Sequence, residues 1–197
     1  MRTINLVLKR SMDIFGSLIG IILLLPVLII VALAIKIDSK GPVFFRQERL
    51  GKKGIVFKIL KFRTMVIDAE SKGLGVKTEI NDPRITKVGN FLRKTSLDEL
   101  PQLLNVLLGT MSLIGPRPPV PYHPYRYEDY KDEMKKRFLF RPGITGYSQV
   151  KVRNSAPWDK RIEYDIEYIE KFNIFIDIKI LFLTFIKVIK KDSIYRS

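Results

Sequence analysis

The sequence predicts an α+β protein that is predominantly helical, with a short β-hairpin and an apolar helix at its N-terminus. Residues 14–35 form a run of 22 residues without a charged side chain. As a helix this run is about 33 Å long, close to the hydrocarbon thickness of a bilayer. Residues 43–65 contain two β-type segments around a Gly-Lys-Lys-Gly turn. Three later segments, near residues 98–108, 157–172 and 174–189, have the patterns of helices.

The charges around the apolar run predict how it sits in a membrane. Lys and Arg flank it on both sides, and such residues favour the cytoplasmic face. They are Arg2, Lys9, Arg10, Lys36, Lys40, Arg46 and Arg49. A straight span can place only one flank there, whereas a helix that enters, bends and returns places both. Pro26, after Leu25, disrupts the helix near its middle. We therefore predict a re-entrant helix-break-helix over residues 1–40; a tilted span with a tolerated proline is the alternative.

The composition limits the partners and the chemistry. The net charge is +15, and all of it lies outside residues 14–35. A field of this sign attracts nucleic acid, an anionic membrane surface or a phosphorylated substrate. The absence of cysteine excludes disulfides, thiolate metal sites and a cysteine nucleophile. Residues 36–197 are long enough for one globular domain.

The second strand of the hairpin carries two cations that share one face. Lys61 and Arg63 are two residues apart, so a strand would point both toward one anion. A solvated basic edge that protects the sheet from aggregation is the alternative.

An adjacent pair of acids, Asp98 and Glu99, stands in an otherwise basic region. Ser96 and Glu99 match a capping box, which would give the pair a structural role. Pro101 argues against this cap, because it would be the fifth helical residue and would lack the N–H group needed there. We expect the helix to begin near Asp98 instead.

Two carboxylates at such a position suit phosphate chemistry. They can hold Mg²⁺ together with the phosphates that it bridges. A carboxylate can also be a nucleophile that forms an aspartyl phosphate. Nearby cations can neutralise a transferring phosphoryl group, and in sequence these are Arg93, Lys94 and Arg117.

Two segments rich in proline and glycine each contain an arginine. They are "LIGPRPP" with Arg117 and "RPGITG" with Arg141. Such backbone can present a guanidinium group and free N–H groups to an anion, although ordinary turns have the same composition. Arg153, before a helix start at Ser155 and Pro157, is a further candidate contact to phosphate or base.

The last segment, residues 174–189, is apolar around most of its circumference. Its longest uncharged run, residues 180–186, is too short to span a bilayer. An amphipathic helix in the membrane interface and a core helix both fit this pattern.

Several of these motifs together resemble one family, the bacterial sugar transferases known as monotopic phosphoglycosyl transferases. The matching stretches are "GPVFFRQERLGKKG", "FKILKFRTM", "DPRITKVGNFLRKTSLDELPQLLNVLLGTMSLIGPRP" and "RPGITGYSQV", with the N-terminal apolar segment before them. They cover nearly the whole chain in the order typical of the family.

The resemblance implies an Mg²⁺-dependent enzyme that transfers a sugar 1-phosphate from a UDP-sugar to polyprenyl (undecaprenyl) phosphate. Asp98 would attack the β-phosphorus and release UMP, and the polyprenyl phosphate would then attack the sugar-phosphoryl aspartate. Glu99 would assist in metal binding or proton handling. Basic family positions imply phosphate or nucleotide contacts at Lys61, Arg93, Arg117, Arg141 and Arg153. Asp165 would have a supportive role.

The resemblance also implies a place in the cell. Residues 1–40 would anchor the protein in the bacterial inner membrane, and residues 41–197 would form a catalytic domain on the cytoplasmic face that contacts lipid through its C-terminal helices. The reaction would be the first membrane step of glycoconjugate assembly. A homodimer, or association with downstream glycosyltransferases, is left open, and no nucleic-acid partner is expected. A membrane-tethered nucleic-acid-binding protein and a non-catalytic assembly protein are the alternatives.

Three departures from the family pattern stand out. Leu25 replaces the serine that often precedes the membrane proline, and Thr110 replaces the aspartate of "GDMS". "GYSQV" and "KVRN" replace the commoner "GWAQV" and "NGRN".

Overall fold

A single long helix begins the protein. The computed structural model describes residues 2–71, 82–152 and 156–189. Helix α1, Arg2–Asp38, runs without interruption through Leu25 and Pro26. In this part of the chain it is the one helix that is long and apolar enough to cross a membrane. The predicted apolar helix is therefore present, while the break at Leu25 and Pro26 is not seen in its secondary structure.

The predicted hairpin follows directly. Strands β1, Phe44–Leu50, and β2, Val56–Phe62, pair antiparallel from Phe44 opposite Phe62 to Leu50 opposite Val56. A 3₁₀ turn, Lys52–Gly54, joins them. Gly54 has a φ of +76°, and a Cβ there would lie 2.6 Å from the ring of Tyr127. Glycine is needed here for both reasons.

The remaining elements are short except for the last two helices. Strands β3, Ser112–Ile114, and β4, Gly143–Thr145, form a parallel pair, with Ser112 opposite Gly143 and Ile114 opposite Thr145. The helices are α2, Lys87–Thr95; α3, Gln102–Leu107; α4, Asp132–Lys135; α5, Tyr147–Lys151; α6, Trp158–Glu170; and α7, Ile174–Ile189. Further 3₁₀ turns are Ala69–Ser71, Leu97–Glu99 and Lys136–Leu139.

Helix α1 packs against the domain at its C-terminal end. Val31 and Ile35 are buried with Phe62 of β2 and Leu92 of α2. Asp38 accepts a hydrogen bond of 2.9 Å from the backbone N–H of Val88, near the start of α2.

The N-terminal part of α1 also contacts the domain, through buried polar groups. Lys9 Nζ lies 2.6 Å from Asp177 Oδ2 of α7 and donates to the carbonyl of Ile114 at 2.7 Å. Asp13 Oδ1 accepts from Ser112 Oγ at 2.9 Å and from the N–H of Leu113 at 2.8 Å. One domain therefore holds both ends of the long helix.

The backbone around the acidic pair differs from the sequence prediction. Ser96 has a φ of 58°, in the left-handed region, and its side chain makes no cap hydrogen bond. The capping box is therefore not formed. Asp98 and Glu99 lie in a 3₁₀ turn, and the α-helix begins only at Gln102, so a helix start near Asp98 is wrong. Pro101 stands before that helix, where its missing N–H costs nothing.

The two long C-terminal helices are present as predicted. Helix α6 begins after Pro157, whereas Ser155 lies outside the described residues. In α7, Phe175, Phe182 and Phe185 are 77 %, 63 % and 64 % exposed, while Ile180 is buried. One face of the helix therefore packs on the domain, as a core helix does, and the opposite apolar face is exposed. The placement of that face in a membrane interface stays a prediction.

Candidate active site

A large cavity lies at the junction of the hairpin, α2 and the turn that carries the two acids. Its volume is about 1050 Å³, and its wall includes Lys61, Arg93, Asp98, Glu99 and Arg117. Ligand pockets commonly measure ~300–1,000 Å³. Lys61 comes from the hairpin and the other four lie within residues 93–117, and the fold brings them to one wall.

Glu99 lies between two cations. Its Oε1 atom accepts from Lys61 Nζ at 2.7 Å and from Arg117 Nη2 at 2.9 Å. Lys61 comes from the end of β2, and Arg117 follows β3, so the carboxylate joins the hairpin to the parallel strand pair. Glu99 thereby holds both cations beside Asp98.

These charges set the protonation of the acidic pair. Burial and the neighbouring Glu99 charge raise the pKa of Asp98 to about 6, although Lys61, Arg93 and Arg117 act in the opposite direction. For Glu99, burial raises the pKa, but Arg117 and Lys61 outweigh it and hold the pKa far below its usual range. The Glu99 charge in turn raises the pKa of Arg117. Near neutral pH both acids are ionised, and Asp98 is the more basic of the two.

Arg93 completes the group of cations around Asp98. Its Nε donates to Thr64 Oγ1 at 2.9 Å. This bond ties α2 to the segment after β2 and leaves the guanidinium on the cavity wall. Arg93 lowers the pKa of Asp98 through its charge.

Arg63 does not point with Lys61 toward one anion. Its guanidinium donates to the carbonyl of Ser39 at 2.8 Å, to Ser39 Oγ at 3.0 Å and to the carbonyl of Lys40. Strand β2 ends at Phe62, so the alternation that predicted a shared face stops before Arg63. Although Arg63 borders the cavity, its polar contacts cap the C-terminal end of α1.

Arg141, a further predicted anion contact, does not join the group. Arg141 Nε donates to the carbonyl of Gly109 at 2.7 Å, which ties the start of β4 to the loop before β3. Arg141 is not part of the cavity wall. Arg153 lies outside the described residues.

Asp165 acts behind the cavity, not inside it. It is 1 % exposed, accepts from Ser148 Oγ at 2.7 Å and pairs with Arg137 Nη2 at 2.7 Å. The same Nη2 atom donates to the backbone carbonyl of Arg117 at 2.9 Å. Burial raises the pKa of Asp165, against the effect of Arg137 and Ser148. Asp165 and Arg137 thus form a buried pair beneath Arg117, and the supportive role of Asp165 stays a prediction.

The acids can be compared with the needs of a divalent cation. In the described part of the chain, no three His, Asp or Glu side chains converge as a metal cluster. Mg²⁺ needs only one or two carboxylates when water and substrate phosphates supply the other oxygens. Lys61 and Arg117 both bond Oε1 of Glu99, whereas the charges around Asp98 act on it through space. The donor set therefore fits Mg²⁺, with Asp98 the less engaged carboxylate.

Sequence reasoning missed the residues that support the site. Thr64, Asn105, Arg137 and Ser148 each bond to a segment far away in sequence. Their residue types carry no local signal, because hydrogen bonds between distant segments leave no spacing in the chain. The local signal that the sequence does offer is a polar residue inside an apolar run, such as Asn105 between Leu104 and Val106, which indicates a buried hydrogen bond.

The model of one protein family, described as bacterial sugar transferase, matches residues 4–191. The chain belongs to the bacterial sugar transferase family. The resemblance seen in the sequence motifs is therefore confirmed over most of the chain.

Individual relatives of this chain differ in length. It is 44 % identical over 197 residues to UDP-glucose:undecaprenyl-phosphate glucose-1-phosphate transferase of Escherichia coli (strain K12), covering 98 % of this chain and 42 % of that protein. It is 44 % identical over 192 residues to galactosyl transferase CpsE of Streptococcus agalactiae serotype III, covering 91 % of this chain and 42 % of the relative. The chain thus spans about two fifths of the length of these relatives.

A third relative has a similar length. The exopolysaccharide production protein PSS of Rhizobium leguminosarum bv. phaseoli is 43 % identical over 202 residues, which cover 96 % of this chain and 98 % of that protein.

Proposed function

We propose that the protein transfers a sugar 1-phosphate from a UDP-sugar to undecaprenyl phosphate, with Asp98 as the nucleophile. The observation that carries this proposal is the setting of Asp98. It is a half-buried carboxylate whose pKa is raised to about 6, beside three cations on the wall of a cavity of about 1050 Å³. Relatives named as undecaprenyl-phosphate transferases support the same reaction class.

In the first step, a carboxylate oxygen of Asp98 attacks the β-phosphorus of the UDP-sugar. A new P–O bond forms to Asp98, and the bond between the β-phosphorus and the bridging oxygen breaks, so that UMP leaves with the electron pair. The nucleophile needs an ionised carboxylate, and a raised pKa makes that carboxylate more basic than an ordinary aspartate. Lys61, Arg93 and Arg117 face the negative charge that develops on the phosphoryl oxygens.

In the second step, an oxygen of undecaprenyl phosphate attacks the phosphorus of the sugar-phosphoryl aspartate. The bond to Asp98 breaks, the carboxylate is regenerated and the product is a polyprenyl diphosphate sugar. Glu99 keeps Lys61 and Arg117 in place through both steps. Bound Mg²⁺, held by Asp98 and Glu99, would supply further positive charge for the phosphate oxygens.

The arrangement of α1 supports a reaction on one face of the membrane. Lys9 and Asp13 near one end and Asp38 at the other end contact the same domain. A helix that crossed the bilayer would separate those ends by about 30 Å of hydrocarbon, beyond the reach of a domain on one side. We therefore propose that α1 inserts into one leaflet, with its exposed apolar face in lipid and the cavity at headgroup level on the cytoplasmic face of the inner membrane.

Release of UMP tests the reaction. Purified protein in nanodiscs with undecaprenyl phosphate, Mg²⁺ and a panel of UDP-sugars should release UMP from at least one of them. Asp98→Asn should abolish the release, whereas Asp132→Asn, a fully exposed acid on α4, should leave it unchanged. The mechanism fails if Asp98→Asn keeps full activity, and the substrate class fails if no UDP-sugar yields UMP.

Single cysteines test the membrane arrangement, because the natural chain has none. Thr3→Cys and Lys40→Cys should both react with an impermeant maleimide from the cytoplasmic side alone. Labelling from opposite sides would show that α1 spans the bilayer.

A further inference from the structure

The side chain of Asn105 occupies the free edge of strand β2. Its Oδ1 accepts from the backbone N–H of Leu60 at 2.9 Å, and its Nδ2 donates to the carbonyl of Lys58 at 2.9 Å. Alternate residues of an antiparallel strand turn both backbone groups to the same edge. Lys58 and Leu60 turn theirs away from β1, and the amide of Asn105 pairs with them as a third strand would.

Asn105 is itself held firmly in α3. It is 7 % exposed, and its Nδ2 also lies 3.2 Å from Thr110 Oγ1. Its backbone carbonyl accepts from the N–H groups of Thr110 at 3.0 Å and Met111 at 3.1 Å. Beside it, Ile59 of β2 packs with Val106 and Met111 in a buried apolar cluster. The amide is thus a rigid joint between α3 and β2.

Both partners of this joint lead directly to the acidic pair. Leu60 precedes Lys61, and α3 follows the turn that carries Glu99. Lys61 Nζ lies 2.7 Å from Glu99 Oε1. A shift of the strand by one residue would turn Lys61 to the opposite face, and a shift by two would move it about 6.7 Å along the strand. Either movement would break the ion pair.

We propose that Asn105 is a positioning residue that fixes the register of β2 against α3 and thereby holds Lys61 on Glu99. This role rests on the proposed function only in its consequence for catalysis, since the joint itself is a property of the fold. Asn105 does not line the cavity, and it acts on the reacting groups through Lys61.

The reactivity of Lys61 toward an amine-acylating reagent measures the joint without any substrate. In the native protein the ion pair with Glu99 and the low exposure of Lys61, 16 %, should keep its acylation slow. Lys58, on the exposed face of the same strand, is the internal reference. In Asn105→Ala the rate at Lys61, followed by peptide mass spectrometry of the full chain in nanodiscs, should rise several-fold toward that of Lys58.

A stability-matched variant separates positioning from general loosening. Val106→Ala removes buried packing from the same helix and leaves the amide joint intact. When both variants are assayed at the same interval below their own unfolding temperatures, acylation of Lys61 should stay slow in Val106→Ala. An equal rise in both variants, or no rise in Asn105→Ala, overturns the proposal. If Asn105→Ala does not fold, Asn105→Ser, which keeps a small polar group but is one atom too short for these bonds, serves in its place and should likewise raise the rate at Lys61.

Turnover provides the second measurement. Asn105→Ala and Lys61→Met should each lower kcat/KM for UMP release, and the double variant should be no worse than Lys61→Met, because both act through one ion pair. Additive losses overturn the proposal. If acylation of Lys61 rises as expected while no variant or native protein turns over a UDP-sugar, the proposed function fails and the joint stands. If a UDP-sugar is turned over while acylation of Lys61 is as slow in Asn105→Ala as in the native protein, the proposed function stands and the positioning role of Asn105 fails.

Discussion

Replacing Asp98 by asparagine should make the protein more stable at neutral pH while abolishing its chemistry. The pKa of Asp98 is raised from 3.8 to about 6, chiefly by burial. A shift of about two pH units corresponds to about 3 kcal/mol. Because the folded state binds this proton more tightly than the unfolded chain does, the ionised carboxylate destabilises the fold. The penalty is absent below a pH of about 4 and complete above a pH of about 7.

The assay is thermal unfolding of the full chain in detergent, without divalent cations, between pH 5 and pH 8. Trp158, at the start of α6, supplies the fluorescence signal. Since 1 kcal/mol shifts Tm by about 2–4 °C in chains of this size, Asp98→Asn should unfold up to about 6–12 °C higher than the native protein at pH 7.5. The difference should shrink as the pH falls toward 5, where native Asp98 is mostly protonated.

The neighbouring residue provides the matched control with the opposite sign. Burial raises the pKa of Glu99, but Arg117 and Lys61 outweigh it, so the ionised form stabilises the fold. Glu99→Gln leaves both cations without their partner and should cost about 2 kcal/mol. Because the pKa of Glu99 lies well below the assay range, this loss should stay nearly constant from pH 8 to pH 5.

The result that would refute the reasoning is simple to recognise. If Asp98→Asn lowers Tm at pH 7.5, or if its effect does not change with pH, Asp98 is not a destabilising buried carboxylate. If both substitutions shift Tm by the same amount in the same direction, the two carboxylates do not contribute to stability with opposite signs.

Three further predictions concern the reaction and the fold. The rate of UMP release should fall about tenfold per pH unit below a pH of about 6, because protonated Asp98 is not a nucleophile; a rate independent of pH down to 5 would contradict this. Arg137→Met should lower kcat/KM without loss of Lys61 protection, since Arg137 supports the backbone of Arg117, and an unchanged kcat/KM in a folded variant would contradict it. Arg63→Met should lower Tm by several degrees, because α1 loses its cap, and should raise KM less than Lys61→Met does. A rise in KM as large as that of Lys61→Met, with Tm unchanged, would show that Arg63 binds the substrate anion.

The sequence predicted those parts of the fold that depend on local patterns. The hairpin, the apolar helix and the helix over residues 174–189 follow from alternation, run length and composition, and they are confirmed. The acidic pair and the predicted cations Lys61, Arg93 and Arg117 lie on one cavity wall, while their roles in binding and catalysis stay predictions.

The sequence failed where distant segments decide the outcome. Arg63 follows Lys61 by the spacing of a strand, but the carbonyl groups at the end of α1 compete for its guanidinium. Ser96 matches a capping box, but it also ends α2, where it takes the left-handed conformation and its N–H donates to the carbonyls of Arg93 and Leu92. The joint at Asn105 depends on the register of β2, which no spacing within α3 records.

The contacts of α1 have a consequence for how this protein can be made and divided. A fragment that begins at residue 41 would open Phe62 and Leu92 to solvent and leave Asp177 buried without Lys9. Ser112 and Leu113, which precede Arg117 by five and four residues, would lose Asp13 as well. Helix α1 therefore forms part of the wall that encloses these buried groups. We expect folding of the domain to depend on it, so that a shortened fragment needs an apolar partner in place of α1.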